Sequence, residues 1–178
     1  SIMRLESERV YLKVMHVPDV TERYVSWMND PEVNEYLESK YQQQSYASVC
    51  AFVQSAEDDP NSYLYGIYDL ESDQHIGNIK FTYTNRRHLR GDIGIVIGER
   101  AYWGKGIAAE AIQCLTEYVS EVLGVEKISA GCFEINRGSV RAFEKAGYAV
   151  EGVIKDNVLY GDRRINGILL GITLDKLR

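Results

Sequence analysis

Polar and apolar residues alternate along Arg4–Val14 (RLESERVYLKV), which predicts a first strand. Asp19–Trp27 reads as a helix, and a second short one starts near Asp30-Pro31, because proline is tolerated at a first helical position. Ser45–Ala56 is a third helix, and residues 57–62 (EDDPNS) form the loop that follows it. Tyr63–Leu70, His75–Thr84 and Arg90–Gly98 then read as three strands joined by tight turns, the first of them through ESDQ. Ala108, Ala111, Ile112, Leu115, Val119 and Val122 recur at helical spacing, and Gly124 closes that helix. Lys127–Phe133 alternates as a strand, Asn136–Ala146 is a short helix ended by Gly147, and two strands follow near Tyr148–Ile154 and Asn166–Leu174. The order β-α-α-α-β-β-β-α-β-α-β-β joins an antiparallel meander to a βαβ unit. It predicts an α/β (α+β) fold: a mixed, mostly antiparallel central sheet with helices on both faces.

The junction before the long helix reads AYWGKGIAAEAI over residues 101–112, with two glycines around Lys105. A helix that starts on small residues leaves its first N–H groups open to an anion, which the helix dipole also favours. A Walker A loop does not fit: five residues separate Gly98 from Gly104, and Gly106 follows Lys105 where Ser or Thr is needed. A dinucleotide fingerprint fits poorly, since Ala109 stands where its third glycine belongs and the unit follows a meander.

The chain has 178 residues, 45% of them hydrophobic and 26% charged, which suits one globular domain spanning residues 1–178. The net charge of −6 argues against a nucleic-acid partner. No apolar run approaches the roughly 20 residues of a membrane span. No signal peptide is visible in SIMRLESERV, and whether Ser1 and Ile2 are native is left open. Cys50, Cys114 and Cys132 are odd in number and carry no CxxC, so neither a disulfide framework nor a zinc site is expected, and a reducing, cytoplasmic setting fits. Cys114 and Cys132 sit in apolar patterns and read as buried and inert rather than nucleophilic. His16, His75 and His88 have no metal-ligand spacing, so no metal is expected. Arg86, Arg87, His88 and Arg90 form a basic turn, either solvated or able to meet a substrate's phosphates.

The segment GDIGIVIGERAYWGKGIAAEAI resembles motif A of the GNAT superfamily of acetyl-CoA-dependent N-acetyltransferases, and NRGSVRAFEKAGY resembles its motif B. ESERVYLKV, WMNDPEV, HIGNIKF and EGVIKDNVLYGDRRINGILLGI resemble the RimJ/RimL-like branch, so the likeness covers nearly the whole chain in order. It implies a splayed acetyl-CoA cleft and transfer of an acetyl group to a primary amine by direct attack in a ternary complex. The acceptor is expected to be a peptide or protein N-terminal α-amine or an amino sugar, with a polyamine or an aminoglycoside as alternatives. A non-catalytic acyl-CoA sensor is the competing class. A monomer or homodimer is expected, with no nucleic-acid or membrane partner.

Carried over position by position, the resemblance places the pantetheine arm along Ile95, Val96 and Ile97, and the pyrophosphate on the amides of Gly104 to Ala109. Trp103, Gly104, Lys105, Gly106, Ile107, Ala108 and Ala109 thus form the cofactor loop, with Trp103 departing from the usual Gln or Arg. Lys105 either adds charge to phosphate or is solvated. Asn136 matches a residue on the CoA arm, or serves as a helix cap, or both. Ser139 matches a serine near the thioester sulfur, where it would protonate the thiolate; its plain reading is a first-turn polar residue. Phe143, which the resemblance counts among the cofactor-binding residues with Asn136 and Ser139, stands where many relatives carry a general-acid tyrosine, and Val158 where some carry a glutamate base. Asp92, Glu99 and Glu134 are the remaining acidic candidates, each either catalytic or structural. A backbone N–H near Val96 or Ile97 is the expected oxyanion donor.

Overall fold

The computed structural model describes residues 4–175, so Ser1 and Ile2 lie outside the described residues. Eight strands form one sheet: β1 (Leu5–Glu6), β2 (Val10–Val14), β3 (Ser62–Asp69), β4 (His75–Asn85), β5 (Arg90–Ile97), β6 (Lys127–Phe133), β7 (Ala149–Tyr160) and β8 (Arg163–Thr173), in the order β1-β2-β3-β4-β5-β6-β8-β7. All neighbours pair antiparallel except β5 and β6, which the crossover helix α4 (Ile107–Glu121) makes parallel. Helices α1 (Glu22–Asn29), α2 (Pro31–Asn34) and α3 (Tyr46–Asp58) precede the meander, and α5 (Arg137–Lys145) follows β6.

Local chemistry sets these boundaries. Tyr24 N–H donates to Thr21 Oγ1 at the start of α1, and Ser45 and Ser48 exchange backbone-to-hydroxyl hydrogen bonds at the start of α3. Gly124, at φ +75°, lets Val125 N–H return to Val119 O at the end of α4.

Two apolar layers sandwich the sheet. Ile107, Ala111, Ile112, Leu115 and Val119 of α4 pack with Phe143 of α5 on Leu12, Ile67, Ile79, Ile93 and Ile128. On the other face Tyr24 and Trp27 of α1 and Val49 and Val53 of α3 pack with Met15 and Leu64. His75 sits among the rings of Tyr24, Trp27 and Tyr68 with centroids 4.8–5.8 Å away. Its Nε2 lies 2.8 Å from Asn78 Oδ1, while its Nδ1 meets no partner.

Burial therefore holds the His75 imidazole neutral, with a pKa below its ordinary 6.5. The unfolded chain binds the extra proton first. Stability from the neutral ring is thus whole above pH 6.5 and declines as pH falls through that value toward the lowered folded pKa. Melting temperature is expected to drop between pH 7.5 and 5.5, and His75→Gln should flatten that slope. An unchanged slope in the variant would count against this assignment.

Two expected boundaries are corrected. The single first strand is a hairpin, because the turn at Ser7–Arg9 is captured by Glu110 of α4, whose carboxylate accepts from Arg9 N–H at 2.7 Å. The strand expected to stop at Ile154 runs on to Tyr160, through a bulge that places Asp156 at φ +53°.

Candidate active site

β5 and β6 pair only through Arg90–Asp92 and Lys127–Ser129. Beyond that point β5 stays with β4 and β6 stays with β8, so the sheet splits between Ile93–Ile97 and Ala130–Phe133. A cleft of about 660 Å³ passes through the split, from the start of α4 on one face to Glu32–Leu37 on the other. Gly98 N–H bonds Ile76 O on the β4 side, and Ile97 O accepts from Trp103 Nε1 at 2.8 Å. Strand alternation then turns the backbone groups of Ile95 and Ile97 into the gap and those of Val96 toward β4. Val96 lends the cleft its side chain only, so of the two expected oxyanion donors Ile97 N–H faces the cleft and Val96 N–H does not.

The phosphate end is built by backbone conformation. Gly104 and Gly106 adopt φ +72° and +79°, and Gly106 caps α4 without a side-chain acceptor. The first amides of α4 are left for an anion. A Cβ at Gly106 would come within 2.7 Å of Lys145 Nζ, so a cation already stands over this turn. Arg9 steadies the loop from outside by donating to Lys105 O at 2.8 Å and to Glu110 at 2.7 Å. Partial burial pushes the Glu110 carboxyl up, but hydrogen bonds from Ser7 and Arg9 outweigh it and hold the pKa below the ordinary value.

Ile95, Val96, Ile97, Trp103, Gly104, Gly106, Ile107, Ala108, Ala109, Asn136 and Ser139 all line the cleft. Asn136 Oδ1 also caps α5 by accepting from Ser139 N–H at 3.2 Å. Ser139 Oγ lies 3.3 Å from the sulfur of buried Cys132, whose pKa burial raises. Lys105 is exposed and is not among the lining residues. Phe143 is 2% exposed and packs edge-on against Tyr148 at 5.1 Å, so it belongs to the core and is not among the lining residues of the cleft. Asp92 is exposed near the closed end of the split; neighbouring protein atoms raise its pKa, but it does not line the cleft. Glu134 is likewise exposed and outside the lining, 3.4 Å from Asn166 Nδ2. The residues of the basic turn are also outside the lining. Arg86 donates to Asn61 Oδ1 and Pro60 O and lies over Tyr83, before the first residue of β5.

Sequence reasoning missed the far mouth. Tyr160 of β7 donates to Glu35 Oε1 at 2.9 Å, and Tyr36 lies against both Phe133 and Tyr160. Lys40 Nζ sits 5.2 Å from the Tyr160 ring centre and donates to Glu35 O at 2.9 Å. The mouth therefore already holds an ammonium on an aromatic face. Arg141 and Lys145 of α5 were missed too, although their i, i+4 spacing on a helix was a readable sign that they share a face. If Lys145 serves the phosphates, Lys145→Gln should raise the KM for acetyl-CoA roughly five- to tenfold and leave the acceptor KM unchanged. Steady-state kinetics in both substrates checks this, and an unaltered KM for acetyl-CoA would leave Lys145 a solvated residue.

A split parallel pair with an uncapped helix start across it defines a site for a carrier that is extended at one end and phosphorylated at the other. The residues present fit coenzyme A: free strand amides for the arm, and glycine amides with Lys145 for the diphosphate. Residues 9–149 match the family model described as an acetyltransferase (GNAT) domain, and the chain belongs to that family. It is 28% identical over 154 residues to the uncharacterized N-acetyltransferase p20 of Bacillus licheniformis, covering 85% of each chain. It is 35% identical over 107 residues to the probable N-acetyltransferase YjcK of Bacillus subtilis, covering 60% of this chain and 56% of that one. Among solved structures, a GNAT-family acetyltransferase from Bacillus anthracis superposes with TM-score 0.83 at 23% identity, over 96% of this chain and 98% of that one. Spermidine N-acetyltransferase from Vibrio cholerae, in complex with CoA and spermine, gives TM-score 0.82 at 19% identity over 94% and 96%. Among the described residues no helix is long and apolar enough to cross a membrane, and no group of three or more His, Cys, Asp or Glu gathers as metal ligands.

Proposed function

We propose that the chain transfers the acetyl group of acetyl-CoA to a primary amine that enters through the Glu35–Tyr160 mouth. The observation that carries this is the cleft itself, which runs through the sheet from an anion-binding helix start to an acidic, aromatic opening. The amine nitrogen attacks the thioester carbonyl while the acetyl oxygen takes a hydrogen bond from Ile97 N–H. Glu32 and Glu35 are the carboxylates lining the cleft and replace Asp92 and Glu134 as candidates to receive the amine's proton. We read Ser139, which lines the cleft, as the hydroxyl that serves the departing thiolate.

Deprotonating a lysine amine at pH 7 costs about 4.6 kcal/mol, against about 1–1.4 kcal/mol for an α-amino group. A mouth lined by the carboxylates of Glu32 and Glu35 favours the second. We therefore read the acceptor as a peptide N-terminal α-amine, as the RimJ/RimL-like resemblance implies, or an amino-sugar amine. A polyamine is the second reading, favoured by the Lys40 ammonium seated on Tyr160.

Free-thiol release should be followed with acetyl-CoA against N-terminal peptides, amino sugars, spermidine and an aminoglycoside. Release with peptides or amino sugars supports the first reading, and release with spermidine alone supports the second. Silence with intact CoA binding would leave an acyl-CoA sensor, and no CoA binding would overturn the site.

A further inference from the structure

A second chamber of about 330 Å³ opens between β5 and the helices α1 and α3. Its lining joins the apolar Tyr24, Met28, Phe52 and Leu64 to the polar Glu38, Gln44 and Lys80. It shares Leu37, Ile95 and Val96 with the cofactor cleft, so the two spaces meet on the face of β5 where a carrier threading the split would deliver its acyl end. Gly94 supplies part of the lining, and a Cβ built there meets nothing within 4 Å. Asn78, the buried polar residue of this lining, has its carboxamide oxygen turned to His75.

We infer that this chamber receives the alkyl tail of acyl donors longer than acetyl, so that the enzyme also transfers acyl groups of about four to eight carbons. The inference rests on the transferase reading above. The exposed surface of this lining is mainly apolar, so burying an ammonium there is costly away from Glu38, the carboxylate of the lining. The acidic mouth at Glu35 and Tyr160 already provides the amine with a separate entrance. The pantetheine amides need backbone partners, which lie on the gap side of β5 rather than in this chamber. An alkyl chain needs only dry contact area, and the absent side chain at Gly94 leaves it room. The chemistry is unchanged by chain length. The amine forms a C–N bond at the thioester carbonyl and loses a proton, the C–S bond breaks, and the CoA sulfur leaves as a thiolate that takes up a proton.

Each buried methylene should tighten donor binding about fourfold until the chamber is full. The test compares acetyl-, butyryl-, hexanoyl- and octanoyl-CoA against one amine acceptor by thiol release. In parallel, calorimetry compares CoA with a non-reactive S-hexyl-CoA. The expected result is a KM at least tenfold lower for hexanoyl- than for acetyl-CoA, and S-hexyl-CoA binding at least tenfold tighter than CoA. Gly94→Val, whose side chain enters the open space, should abolish that chain-length preference. A wild-type enzyme that prefers acetyl-CoA, with S-hexyl-CoA no tighter than CoA, overturns the inference and leaves the acetyltransferase reading standing. A Gly94→Val enzyme that keeps the chain-length ratio but loses affinity for the amine overturns it in favour of an acceptor chamber. Failure of every CoA species to bind overturns both readings.

Discussion

Gly106→Val is expected to weaken acetyl-CoA binding by two orders of magnitude or more while the protein remains folded. Gly106 sits at φ +79°, where a β-branched residue costs about 1–3 kcal/mol of backbone strain. Its new side chain would also meet Lys145 Nζ, since even a Cβ comes within 2.7 Å of that atom. That atom is the end of a flexible chain, so it moves away and takes its charge from the phosphate end. The valine methyls then stand over the amides that begin α4, where a diphosphate must approach within hydrogen-bond distance. Each charge-assisted hydrogen bond lost is worth about 1.5–3 kcal/mol, so losing two of them amounts to a factor of a hundred or more. The surrounding loop is held independently by Arg9 and Glu110, which is why unfolding is not expected. Calorimetry with acetyl-CoA, run beside a thermal melt, separates the two effects. Gly104→Ala is the graded comparison, because its Cβ meets nothing within 4 Å and only the strain of φ +72° remains. Near-normal binding by Gly106→Val would mean that the α4 amides do not hold the phosphates.

The loop was legible because its chemistry is local: glycines, a helix start and a missing cap all fall within a dozen residues. The same holds for the meander and for α4, whose periodicity is undisturbed by any distant partner. The far mouth was not legible for the opposite reason. Tyr160 and Glu35 are 125 positions apart, and only the length of the β7–β8 hairpin brings them together. That length was hidden by Lys155-Asp156-Asn157, which reads as a polar turn but is absorbed as a bulge once β8 runs alongside. The turn at Ser7–Arg9 was hidden in the same way, since strand alternation continues across it and the residue that bends it is Glu110. Asp92 and Glu134 illustrate a further limit. Residue type and strand position put them near the split, but the direction of each side chain depends on a register that only the paired sheet supplies.

Gly98→Ala is expected to cost about 3 kcal/mol of stability, a loss out of proportion to one methyl group. Gly98 follows β5, directly beneath the indole of Trp27, and a Cβ there would lie 2.0 Å from Trp27 Cδ2. The ring is poorly placed to yield. It is 4% exposed, lies 4.8 Å from the His75 ring, and donates through Nε1 to Glu99 Oε1 at 3.0 Å. Either the indole leaves its site or the end of β5 shifts, and overpacking of this kind typically costs 1–3 kcal/mol before the Glu99 hydrogen bond is counted. For a chain of this length about 3 kcal/mol corresponds to a melting point roughly 6–12 °C lower. The double variant Trp27→Ala/Gly98→Ala supplies the decisive comparison, because the clash vanishes when the ring is gone. The two changes should then be strongly non-additive, with the pair costing little more than Trp27→Ala alone. Simple additivity would show that Gly98 acts through the backbone and not through the ring above it. A shift at the end of β5 would also move Ile97, whose N–H is assigned to the acetyl oxygen. The residual folded fraction of Gly98→Ala should therefore turn over more slowly than wild type at saturating substrate.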